Sequence, residues 1–138
     1  MASLKPDSSE PPPRTILVVE DEVLIRLSLS DYLRECGFTV LEAASGDEAI
    51  AVLRGRGDDV DLVFSDVQMP GETDGFALAR WVRGHHPRIP VMLTSGVAHA
   101  VEKAADLCLE GPIVKKPYDH ATLLSQILRL VERARQNS

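Results

Sequence analysis

No run of this chain is apolar for long enough to cross a bilayer, which excludes a membrane-spanning helix. The N-terminus is polar and proline-rich rather than basic and then apolar, so it has no secretory-signal pattern. Positive charge is also in short supply. Fifteen Lys and Arg stand against 21 Asp and Glu, for a net charge of -6, which argues against a nucleic-acid-binding surface. The only cysteines, Cys36 and Cys108, are far apart and form no metal-type pattern; they are expected to be small buried hydrophobes. Internal repeats are missing, and nothing after the last predicted helix reads as a second domain. These absences predict a cytoplasmic, reducing setting and a single domain. The 138 residues, 44% of them hydrophobic, suffice for one real core.

Residues Met1 to Pro13 have little to bury and several breaks, and are expected to be a disordered tail. Pro11-Pro12-Pro13 would also suit a polyproline-binding partner, but composition favours the plain leader. From Arg14 to Arg135 the pattern alternates strand and helix. Strands are predicted at Thr15–Val19, Phe38–Leu41, Asp61–Ser65, Val91–Leu93 and Ile113–Lys115. The first helix, Glu22–Cys36, buries Ile25, Leu29, Tyr32, Leu33 and Cys36 and stops at Gly37. The second begins at Ser45 in a capping-box pattern with Glu48, buries Ala49, Val52 and Leu53, and ends at Gly55 and Gly57. The third runs from Asp74 to His85 over Leu78, Ala79 and Val82. A weak fourth spans Ala98–Cys108. Asp119 caps a fifth, whose stripe is Leu123, Leu124, Ile127, Leu128 and Val131. Five strands alternating with five helices imply an α/β fold, a parallel sheet covered on both faces. Ligands of such sheets sit at the carboxyl ends of the strands.

The chemistry collects at that edge. Glu20-Asp21 follows the first strand, Asp66 the third, Thr94 the fourth and Lys116 the fifth. Alone, Asp66 reads as a turn residue, and Glu20-Asp21-Glu22 as an acidic start to a helix, which is all that Glu22 is expected to be. Together they suit phosphoryl transfer. A carboxylate can accept phosphorus as a nucleophile, and clustered carboxylates supply the hard oxygens that magnesium, or manganese in its place, requires. A lysine offers a compact cation to the phosphoryl oxygens, and Thr94 a hydroxyl.

The segments Ile16–Glu22, Asp61–Asp66 with Met69-Pro70-Gly71 and Asp74-Gly75, Pro90–Ser95, and Lys116-Pro117-Tyr118 resemble the receiver domain of two-component response regulators. The resemblance covers about Arg14 to Arg135. It implies a doubly wound, flavodoxin-like (β/α)5 fold with strand order 2-1-3-4-5. It implies that Asp66 is the phosphoacceptor. Glu20, Asp21, Asp66 and the backbone carbonyl of Gln68 would hold Mg2+, with Asp21 a direct ligand. Thr94 would be the switch hydroxyl, Lys116 the phosphate-binding lysine, and Pro117 would follow a cis bond. A histidine kinase or histidine phosphotransfer protein would be the donor. Output would be protein binding or a phosphorelay, through the face of the fourth helix, fifth strand and fifth helix, on which family members also dimerise. The chain would be a stand-alone receiver and not an enzyme beyond its own phosphorylation and dephosphorylation.

Two positions depart from the family pattern. Ile113 stands where many receivers carry the switch aromatic, and one additional residue separates Pro70 from Asp74-Gly75. Three rival functions remain. An aspartyl-phosphate phosphatase needs a second acid two residues after its nucleophile, where Gln68 stands. A non-phosphorylated pseudo-receiver does not need the intact Asp21, Asp66, Thr94 and Lys116. A DNA-binding regulator needs a helix-turn-helix and a less acidic surface. Elsewhere, His85-His86 read as a solvated helix end, Lys115 as a surface charge, Asp58, Asp59 and Asp61 as a polar loop, and Trp81 as packing.

Overall fold

The computed structural model describes residues 13–96 and 113–136. Their elements run β1 (Thr15–Val19), α1 (Val23–Glu35), β2 (Thr39–Ala43), α2 (Gly46–Arg56), a 3-10 turn (Gly57–Asp59), β3 (Leu62–Asp66), α3 (Gly75–His85), β4 (Val91–Ser95), β5 (Ile113–Lys115) and α4 (His120–Gln136). The predicted fourth helix, with Cys108, lies outside the described residues, as do residues 1–12 of the predicted tail.

The five strands form one parallel sheet in the order β2-β1-β3-β4-β5, the doubly wound, flavodoxin-like arrangement. β1, β3 and β4 are buried along their whole length, so they read as continuous apolar runs rather than alternating ones. Their side chains still alternate between two cores. Leu17, Val19, Val63, Val91 and Leu93 meet Ala49 and Leu53 of α2 and Leu78 and Val82 of α3. On the other face Ile16, Val18, Leu62, Phe64 and Met92 meet Leu29 and Leu33 of α1 and Leu123, Ile127 and Val131 of α4.

The helix starts follow local chemistry. Ser45 Oγ accepts the Glu48 N–H at 3.1 Å, while Glu48 Oε1 accepts the N–H of Ala44, one residue further back than the predicted capping box. Asp74 Oδ1 caps α3 through Ala77 N–H at 2.8 Å, and Asp119 Oδ1 caps α4 through Thr122 N–H at 2.7 Å. Gly37, with φ of 100°, closes α1 in the left-handed conformation, its N–H on the Arg34 carbonyl.

Several predicted boundaries move. β3 takes in Asp66, and β4 takes in Thr94 and Ser95, because Asp66 and Thr94 are register partners across the pair; pairing overrides the low strand preference of Asp. β2 begins and ends later than predicted and carries Glu42 inside the strand. Gly55 does not end α2, which continues to Arg56. Cys36 is exposed, not buried, since α1 has already ended before it, and Leu128 is half exposed on the outer side of α4. His85 stacks on Trp81 at 4.2 Å, and His86 is half-buried, its ring covering Gly57, so only His85 is a solvated terminus.

Candidate functional site

β1 and β3 deliver their last polar residues to the same edge of the sheet. Glu20 follows β1 and is buried; Asp66 ends β3 and is buried; Asp21 is exposed. One oxygen from each of Glu20, Asp21 and Asp66 lies within 4.8 Å of the others. β5 ends at Lys115, and the next residue, Lys116, sends its ammonium across β4. Lys116 Nζ donates to Asp66 Oδ2 at 2.9 Å and lies 3.6 Å from Glu20 Oε1. The turn that carries it contains the cis Lys116–Pro117 bond.

The acids are held in specific orientations. Asp66 Oδ1 accepts the Gln68 N–H at 3.2 Å, and Glu20 Oε2 accepts the Glu22 N–H at 3.1 Å. Glu20 Oε1 is buried and accepts no hydrogen bond. α3 starts hard against the end of β3: Gly75 donates its N–H to Val67 O, and a Cβ on Gly75 would overlap the Asp66 carbonyl and come within 2.7 Å of Val67 Cα. The position admits only glycine without movement of the strand end.

Three carboxylates facing one ammonium leave negative charge uncompensated. Burial pushes the Glu20 carboxyl up to about 7; the charge of Asp66 adds to this, while the Glu22 amide and Lys116 oppose it. Burial alone would lower Lys116, but the hydrogen bond and charge of Asp66, and then Glu20, more than reverse it and hold the ammonium above the usual lysine range. Tyr118, raised by burial and by Glu20, sets its ring edge-on to Phe64 at 5.8 Å beneath the site. Three hard oxygen donors, one of them buried and without a hydrogen bond, could together hold a metal ion.

Thr94 is fully buried and its hydroxyl donates to Val114 O at 3.0 Å, not to Asp66. The Thr94 main chain is adjacent to Asp66, for its carbonyl accepts the Val67 N–H at 2.9 Å. Ile113 lies half-buried opposite Leu93, against the core shared with α2 and α3. The inserted loop folds onto the start of α2: Thr73 Oγ1 donates to Asp47 Oδ1 at 2.6 Å, and Gly71 turns with φ of 95°. Every candidate residue singled out from the sequence therefore borders this edge except Ile113, which faces the core. Arg26, Glu42 and Tyr118 were not assigned roles by sequence reasoning.

Residues 16–128 match the response regulator receiver domain. The chain belongs to that family. This receiver domain is 37% identical over 120 residues to the sensor kinase CckA of Brucella abortus, covering 86% of this chain and 13% of CckA. It is 34% identical over 123 residues to the transcriptional regulatory protein ResD of Bacillus subtilis, covering 89% of this chain and 50% of ResD. The chain thus spans half or less of the length of these two relatives. Among solved structures, a response regulator receiver protein from Sinorhizobium medicae superposes with a TM-score of 0.80 at 31% identity, over 88% of this chain and 97% of that one. The receiver domain of the hybrid histidine kinase CckA does so with a TM-score of 0.71 at 35% identity, over 85% of this chain and 98% of that one. The receiver of this chain is thereby a module of two-component signalling. No helix among the described residues is long and apolar enough to cross a membrane.

Proposed function

We propose that this receiver, residues 14–135, accepts a phosphoryl group on Asp66 from a phosphohistidine of a histidine kinase or phosphotransfer protein. The observation that carries the reading is the Lys116 ammonium 2.9 Å from Asp66 Oδ2 inside a cluster of three carboxylates. A carboxylate oxygen of Asp66 would form the new bond to phosphorus. The phosphorus–nitrogen bond of the donor would break, and the donor imidazole would keep its electron pair and pick up a proton. Such transfer depends on positioning and charge more than on covalent help. Gln68 N–H orients the Asp66 carboxylate, and Lys116, bound to Asp66 Oδ2, would follow the charge from the carboxylate to the phosphoryl oxygens. Glu20, Asp21, Asp66 and the Gln68 carbonyl would hold Mg2+, or Mn2+. When bound, the ion would neutralise charge that Lys116 alone leaves uncompensated. Thr94 would exchange its bond to Val114 O for one to the phosphoryl group. The event would be read by another protein in the cytoplasm, or by a second copy of the chain, on the side of the sheet carrying β5 and α4.

The test is incubation with Mg2+ and acetyl phosphate or phosphoramidate, followed by intact mass. One phosphate adduct is expected on the wild type and none on Asp66→Asn. A wild type that stays unlabelled under conditions that label another receiver would refute the proposal and leave a non-phosphorylated interaction module. Steady turnover of a generic phosphate ester would instead point to a phosphatase.

A further inference from the structure

Glu20 is gripped at nearly every polar atom it has. Its N–H donates to Ala43 O at 3.0 Å, its Oε2 accepts the Glu22 N–H, and its carbonyl accepts Arg26 Nη1 at 2.8 Å. Only Oε1 accepts no hydrogen bond. Arg26 projects from α1 and its side chain is only 16% exposed. Its orientation is fixed from the far side, where Nε donates to Glu42 Oε1 at 3.2 Å. The other Glu42 oxygen, Oε2, accepts Arg34 Nη2 at 3.0 Å, and the same Nη2 also donates to Val40 O. The carbonyl that Arg26 holds belongs to the peptide joining Glu20 to Asp21. Turning that peptide plane would swing the exposed Asp21 carboxylate away from Glu20 and Asp66.

We propose that Arg26, anchored by Glu42, is a positioning residue for the acidic pair: it locks the Glu20–Asp21 peptide so that both carboxylates converge with Asp66 on one cation. This rests on the metal-binding reading above. The competing role is a simple tie between α1 and β2, and the same network contains its own control. Arg34 leaves the same helix, binds the same Glu42 and reaches a β2 carbonyl, but has no hydrogen bond to the acidic loop. Residues that orient metal ligands without touching the ion characteristically cost tenfold or more in affinity when removed.

The experiment is titration of the full chain with Mn2+, reading the free ion by its electron paramagnetic resonance signal, with thermal unfolding recorded beside it. Arg26→Met is expected to raise the Mn2+ Kd about tenfold. Glu42→Gln should raise it less. Arg26→Lys, which can still donate to the Glu20 carbonyl, should recover part of the affinity and also keeps the test decisive should Arg26→Met fail to fold. Arg34→Met should lower the unfolding temperature while its Kd stays within about twofold of the wild type, well short of the tenfold loss. Unchanged Mn2+ binding in Arg26→Met and Glu42→Gln, with the wild type binding normally, would overturn the positioning role and leave the metal site standing. Equal weakening by Arg34→Met would overturn it too, as a general stability effect. A wild type that binds no Mn2+ would remove the metal reading and the positioning role together.

Discussion

Glu20 gives the most direct physical test of the site. Its carboxyl is almost fully withdrawn from water, one oxygen accepts no hydrogen bond, and its pKa rises from 4.5 to about 7. A raised carboxyl pKa means that the folded state binds the proton more tightly than the unfolded chain does. The stability it contributes is fully present below pH 4.5 and is lost as pH rises to about 7. A shift of this size corresponds to about 3 kcal/mol. With a urea dependence of about 1.5 kcal/mol per molar, the unfolding midpoint should fall by roughly 2 M across that window in metal-free buffer. Glu20→Gln keeps the shape and removes the titration, so its profile should be flatter and should lie above the wild type at pH 8. Every other titrating group is common to both proteins and cancels in the difference. Saturating Mg2+ at a hundred times its Kd adds about 2.7 kcal/mol, enough to offset most of the loss at high pH, and it should stabilise little near pH 5, where it competes with the proton. Urea unfolding at pH 5, 6, 7 and 8, with EDTA or with Mg2+, measures all of this. Parallel loss in the wild type and Glu20→Gln would refute the argument, because the titrating group would then lie elsewhere.

Other substitutions test packing around the same edge. Gly46→Ala would drive a Cβ into the Thr73 carbonyl and to 2.7 Å from Thr73 Cγ2, so it should cost about 1–3 kcal/mol by urea unfolding despite alanine's better helix preference. Gly55→Ala meets nothing within 4 Å inside the same helix and should instead stabilise by up to about 1 kcal/mol. Ile113→Ala should lower stability by about 1–2 kcal/mol, less than a fully buried isoleucine costs, while leaving phosphate labelling intact; loss of partner binding at unchanged stability would contradict this. Thr94→Val should cost about 1 kcal/mol through the lost donor to Val114 O, checked by the same unfolding assay.

The fold was readable because its central strands are buried on both faces. Ile16–Val19, Leu62–Phe64 and Val91–Leu93 are apolar runs too short for helices, and the first two are each followed by a loop and an amphipathic segment. Strand ends were less readable, since Asp66, Thr94 and Ser95 are polar and join the sheet only through register with a neighbour. Helix faces were readable where burial is complete, as at Leu123 and Ile127, and misleading at Leu128, where an apolar residue at helical spacing points outward. The grouping of Glu20, Asp21, Asp66 and Lys116 was legible because every member stands at the carboxyl end of a strand of one parallel sheet. The support behind it was not. Arg26 and Glu42 are 16 residues apart, on a helix and a strand, and nothing in the sequence says that their contact ends on the Glu20 carbonyl.

The position of Thr94 bears on how phosphorylation would be reported without an aromatic at residue 113. Its hydroxyl is committed to Val114 O, a neutral hydrogen bond of roughly 1 kcal/mol. A hydrogen bond to a charged phosphoryl oxygen is worth about 1.5–3 kcal/mol, so on the proposed reading the exchange runs downhill by a modest margin. What the exchange gives up is a contact between β4 and β5, at the sheet edge. In receivers with a switch aromatic, a ring follows the threonine inward. Here Ile113 already packs against the α2–α3 side of the core opposite Leu93, so position 113 offers no ring to move. The released group is instead the Val114 carbonyl, one residue before Lys115 and two before Lys116. Lys116 is itself held by Asp66, and its N–H is held by the Ser95 carbonyl. Both ends of the exchange therefore pull on the same three residues of β5 and its exit, and the physical economy of this chain favours a small shift of that edge strand over a side-chain rotation.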